Sequence, residues 1–101
     1  MAQKPDPPPP AVNHAALGDE ALNLGDLRAA LTHYRQAGDP ARLARLQRAV
    51  EGDTTERVNR LLDRGEYAEA MTIVNGWLRE FPNSQRLQNL QTRINRARWS
   101  Q

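Results

Sequence analysis

Arg86, Asn89, Arg93 and Arg96 fall at i, i+3, i+7 and i+10, which sets three guanidinium groups and an amide along one polar helix face. Guanidinium forks pair bidentately with carboxylates or phosphates, so the chemistry open to such a stripe is to hold an anion. Arg57, Arg60 and Arg64 repeat the spacing upstream, though Glu56 and Asp63 dilute their field. Groups able to make or break bonds are scarce. There is no cysteine, the only serines are Ser84 and Ser100, and His14 and His33 are too separated for a metal site of recognisable spacing. No glycine-rich phosphate loop precedes a helix. Carboxylates come singly at helix caps or beside arginines, as in Asp63-Arg64 and Glu66. No catalytic residue, metal ligand or cofactor site is assigned, and the chain reads as a non-enzyme.

The formal charge of +2 is too small to imply a nucleic-acid partner, but its distribution is uneven. Residues 1–80 carry Lys4 and nine arginines against twelve acids, whereas residues 81–101 carry Arg86, Arg93, Arg96 and Arg98 with no acid. Thirteen arginines against one lysine suggest a GC-rich, bacterial genome. No apolar run is long enough to span a bilayer, and the N-terminus lacks the apolar stretch of a signal peptide. The expected compartment is the cytoplasm by default, or the periplasm or another extracytoplasmic space if a signal or anchor has been removed.

Residues 1–13, with Pro5 and the run Pro7 to Pro10, are expected to be a disordered or polyproline-II leader or linker. Residues 14–101 read as one all-α domain of about six helices. Asn13 caps the first, which ends before Gly25, and Asp26 caps the second, with Leu27, Ala30, Leu31, Tyr34 and Ala37 on its inner face. Asp39 and Pro40 start a third, expected to break at Gly52. Asp53-Thr54-Thr55-Glu56 reads as a capping box opening a fourth, which ends at Gly65. A fifth carries Tyr67, Ala70, Met71, Val74, Trp77, Leu78 and Phe81. Pro82-Asn83-Ser84 precedes the last, with Leu87, Leu90, Ile94 and Ala97 inward. Connections this short imply antiparallel neighbours. Trp77 and Phe81 read as core. Trp99, at the end of the last helix, either packs back on Phe81 and Leu90 or marks a docking point.

Residues 21–41 and 61–81 are two versions of one hairpin, forty positions apart. Leu22, Gly25, Ala30 and Thr32 recur as Leu62, Gly65, Ala70 and Thr72, while Asp26, Leu27, Leu31 and Tyr34 align with Glu66, Tyr67, Met71 and Val74. A repeat of this length suggests stacked helix pairs that bury their apolar faces against neighbours. Together with Leu17-Gly18 and Phe81-Pro82-Asn83, these positions resemble the tetratricopeptide repeat (TPR). The likeness covers about residues 14–98 and departs from the family in its longer period and in Val58, which stands where a packing glycine is usual.

The resemblance implies antiparallel hairpins stacked as a short TPR-like solenoid, serving as an adaptor or scaffold that binds a peptide or helix on its concave face. Carried onto this chain, that face presents Asp19, Leu22, Asn23, Asn59, Asp63, Asn89 and Arg93, beside the Arg86 and Arg96 positions of the stripe. The expected partner is another protein or peptide. Binding of nucleic acid or another polyanion through the arginine faces is the alternative, weakened because the aromatic residues are not interleaved with the basic ones. A third reading is a self-associating spacer of a larger protein, a homo-oligomer, since so few units stack poorly alone.

Overall fold

The structure, a computed structural model, describes residues 12–100. The proline run of the expected leader lies outside the described residues. Five α-helices follow one another: α1 (His14–Asn23), α2 (Leu27–Ala37), α3 (Pro40–Asp63), α4 (Tyr67–Glu80) and α5 (Gln85–Trp99). No strand occurs among the described residues. None of their helices is long and apolar enough to cross a membrane.

The two turns of the repeat close by the same hydrogen bonds. After α1, the Gly25 amide donates to the Leu22 carbonyl at 3.0 Å and the Asp26 amide to the Ala21 carbonyl at 2.8 Å. Forty residues on, Gly65 donates to Leu62 at 3.0 Å and Glu66 to Leu61 at 2.8 Å. This five-to-two and six-to-one pair forms when the residue after the cap turns left-handed, and both glycines do so, at φ 79° and 73°. The caps that follow differ. Asp26 accepts from the Ala29 amide, but the longer Glu66 side chain makes no such bond.

Six helices were expected and five are present among the described residues, because the predicted break at Gly52 does not exist. Gly52 is not among the left-handed glycines, and the Thr55 hydroxyl donates back to the Glu51 carbonyl at 2.7 Å, as it does within a continuing helix. Asp53 is not a cap either, since it pairs with Arg57 at 3.0 Å one turn on. The reason is the stripe Val50, Thr54, Val58 and Leu61, buried on one face straight across the glycine. Burying one valine contributes about 1.5–3 kcal/mol, more than the roughly 1 kcal/mol that a mid-helix glycine costs. Space around Gly52 is open. Gly52→Ala is therefore expected to stabilise the fold by about 1 kcal/mol in urea unfolding, whereas a helix boundary there would make it neutral or harmful.

Helix α1 packs most extensively on α2, α3 lies against α2, α4 and α5, and α4 against α5. One cluster joins Ala30, Leu31 and Tyr34 of α2 to Leu46, Val50, Val58 and Leu61 of α3, Ala70, Val74 and Trp77 of α4, and Leu87, Leu90 and Ile94 of α5. Met71 is only partly buried at its edge. Helix α3 thus serves twice: its first half covers the α1–α2 hairpin, and its second half pairs with α4.

At Gly18, α1 lies directly against the Tyr34 ring of α2. A Cβ built there would stand 2.4 Å from two ring carbons of Tyr34, whose side chain is fully buried. The positions forty residues later, Val58 and Val74, are both fully buried valines. A small–large pair in the first hairpin is replaced by a medium–medium pair in the second.

Candidate functional site

The strongest electrostatic cluster ties the first hairpin to α3. Asp19 on α1 accepts the Tyr34 hydroxyl at 2.5 Å, and Arg42 on α3 donates to it through Nε at 3.1 and 3.2 Å and Nη2 at 3.1 Å. Arg42 also donates to Asp39, the cap of α3, at 2.6 Å. Hydrogen bonds from Arg42 and then Tyr34 hold the Asp19 carboxyl below the ordinary value of 3.8, and Arg42 lowers Asp39 too. Burial, with the bond to Asp19 next, pushes the Tyr34 hydroxyl from 10.0 up to about 12.

These shifts set opposite pH limbs. The depressed Asp19 contributes stability above the ordinary carboxyl range, lost as pH falls below about 4 through its folded value. The raised Tyr34 contributes stability below pH 10, lost as pH climbs from 10 to about 12. Urea midpoints against pH are expected to lose part of the acid limb in Asp19→Asn and part of the alkaline limb in Tyr34→Phe. Unchanged limbs in both variants would show that the cluster is not coupled to folding.

Asp19, predicted for a binding face, is thus engaged inside the molecule. Asn23 and Asp63 are exposed at the ends of α1 and α3. Asn59, forty residues after Asp19, has its Oδ1 buried with no hydrogen-bond partner, as has the hydroxyl of Thr54. Arg86, Asn89 and Arg93 come together with Thr55 and Leu90 in an open groove between α3 and α5. Asn89 accepts from Gln85 at 3.0 Å, and Arg96 is exposed farther along α5. None of Arg86, Arg93, Arg96 and Arg98 has an ion-pair partner among the described residues, whereas Arg28, Arg35, Arg42 and Arg57 do.

The second arginine stripe lies elsewhere. Arg57, Arg60 and Arg64 line a groove with Asp53, Glu69 and Ile73, towards α4. It continues past Trp77, over whose ring Arg28 stacks at 3.9 Å. Acids interrupt it throughout.

Two features went unread in the sequence. Glu51 is buried and accepts the Ser84 hydroxyl at 2.5 Å, while Ser84 itself caps α5 by accepting from the Leu87 amide. Only the helical phase of Glu51, one residue after the inward Val50, hinted at this. His14 and His33, far apart along the chain, stack at 5.3 Å between centroids with their Nδ1 atoms 3.0 Å apart. They sit alone, for no group of three or more potential metal ligands exists among the described residues. Of the two placements expected for Trp99, packing back on Phe81 and Leu90 is not adopted, since the residue is 82% exposed.

Chemically, the α3–α5 groove offers two guanidinium groups, an amide, a hydroxyl and an apolar floor. It holds no acid, histidine or thiol. Comparison with protein-family models, with curated proteins and with solved structures finds no match to this chain.

Proposed function

We propose that the chain is a noncatalytic protein–protein interaction module, a short TPR-like stack of two hairpins and a closing helix that binds a peptide or helix along the side formed by α1, the second half of α3 and α5. The observation that carries this reading is the α3–α5 groove, whose lining can grip a ligand and has no carboxylate, histidine or thiol beside the Thr55 hydroxyl to act as its general base. The strongly shifted groups are elsewhere, in the Asp19–Tyr34–Arg42 cluster, where they satisfy one another. Such a cluster is a structural ion pair rather than a poised acid–base couple. The repeated turn at Gly25 and Gly65 supports stacked copies of one unit.

Affinity capture from a lysate, with captured proteins identified by mass spectrometry, tests the reading when it is repeated with Arg93→Ala and Asn59→Ala chains. A specific partner lost in either variant supports the proposed face, and a partner retained equally by both rejects it.

Exposed Trp99, next to Arg98 and one turn from Arg96, favours a second reading, stacking and charge contacts with a single-stranded nucleic acid. Filter binding over a salt series decides it, since backbone binding strengthens steeply as salt falls. No retention at low salt disposes of it.

A further inference from the structure

The two hairpins are copies, but only one is electrostatically closed. The buried triplet Leu87, Leu90 and Ile94 on α5 repeats the spacing of Leu43, Leu46 and Val50 on α3. The residue before each triplet is an arginine, Arg42 in one case and Arg86 in the other. Arg42 closes on Asp19, which also takes the Tyr34 hydroxyl. In the second copy Asp19 becomes Asn59 and Tyr34 becomes Val74. The carboxylate and the hydroxyl are gone and the arginine stays. What remains is an exposed guanidinium without an ion-pair partner, and a buried amide oxygen without a donor.

We propose that the α3–α5 groove is a docking cleft for an extended acidic peptide segment, whose side-chain carboxylates take the place at Arg86 and Arg93 that Asp19 holds at Arg42. This rests on the binding-module reading and names its ligand class. Charge complementarity selects the occupant: the lining carries two arginines and no acid, within a C-terminal stretch of four arginines and no acid. Spacing narrows it. Arg86 and Arg93 are two helical turns apart, about 10 Å along the axis. In a polyproline-II strand, residues i and i+3 share a face at about 9 Å, so carboxylates three residues apart match the two guanidinium groups. Asn89 and Thr55 lie between and opposite them, able to bond the peptide backbone, and Leu90 supplies apolar floor.

Fluorescence anisotropy at low salt tests this with a labelled ten-residue Pro/Ser peptide carrying glutamate at its second, fifth and eighth positions. The Glu peptide is expected to bind at least tenfold more tightly than its Gln analogue. The double variant Arg86→Gln, Arg93→Gln is expected to lose at least tenfold, and Arg57→Gln, Arg60→Gln on the α3–α4 side less than twofold. Both pairs are exposed or lie in open grooves, and circular dichroism melts verify that the variants remain folded. Equal losses from the two pairs overturn the proposal, because binding would then follow general charge. So does tighter binding of a ten-nucleotide single-stranded RNA than of the Glu peptide. If the Glu peptide fails while a captured protein partner still binds and is lost in Asn59→Ala, this inference falls and the wider module reading stands. If neither peptide nor protein binds, both fall.

Discussion

Gly18→Val is expected to destabilise the fold by about 3 kcal/mol, and adding Tyr34→Val is expected to restore much of that loss. The valine side chain would enter the volume of the Tyr34 ring, since a Cβ at residue 18 already stands 2.4 Å from it, and the ring is fully buried, with its hydroxyl held by Asp19. Overpacking of this kind costs about 1–3 kcal/mol and sometimes more. Tyr34→Val alone leaves a cavity and also strips the hydroxyl from Asp19, for a loss of about 3 kcal/mol. Together the two changes install the Val58–Val74 combination of the second hairpin, where both positions are buried. Urea unfolding of the two single variants and the double variant measures the coupling. A double variant less stable than either single one would mean that the hairpins do not share a packing scheme.

Ser84→Ala is expected to cost about 2–4 kcal/mol, well beyond the loss of an ordinary helix cap. The cap itself contributes roughly 0.5–2 kcal/mol. The rest comes from Glu51, whose buried carboxylate would lose its close hydroxyl donor and keep only Gln47 at 3.4 Å, leaving an under-satisfied buried acceptor at about 1–3 kcal/mol. Glu51→Gln keeps a carbonyl acceptor for Ser84 and is expected to stay within about 1 kcal/mol of the parent. Thermal or urea melts separate the two. A Ser84→Ala loss no larger than that of an ordinary cap would remove the Glu51 contact from the account.

Both predictions concern pairings with different legibility. The hairpin turns were readable, because Gly25 and Gly65 must turn left-handed and Leu, Gly and acid recur at fixed offsets around them. The inner faces of α4 and α5, and that of α2 except for Ala37, which is exposed where the helix ends, were readable for the same reason, their apolar residues keeping helical spacing. Gly52 misled because glycine and a following Asp-Thr-Thr-Glu look like a stop and a restart. The stripe Val50, Thr54, Val58 and Leu61 crosses them without interruption, and burial outweighs local preference there.

The candidate site was legible in part. Arg86, Asn89 and Arg93 share a face by spacing alone, and they do share a groove. The fate of Asp19 was not legible, since nothing local says that a carboxylate on α1 will meet a guanidinium 23 positions later. The contrast between Asp19 and Asn59 carries meaning only once Tyr34 and Arg42 are seen to close on the former. Glu51 with Ser84, and His14 with His33, are likewise long-range meetings that the packing of helices creates.

In the proposed binding mode the second hairpin's open α3–α5 side, and not the closed first hairpin, receives the ligand. Amide chemical-shift mapping on the labelled chain, titrated with the Glu peptide, tests it most directly. Shifts are expected to gather at Thr55, Asn59, Arg86, Asn89 and Arg93, with the amides of α2 unmoved. Shifts centred on Arg28, Arg57 and Trp77, or spread evenly over every exposed arginine, would contradict it.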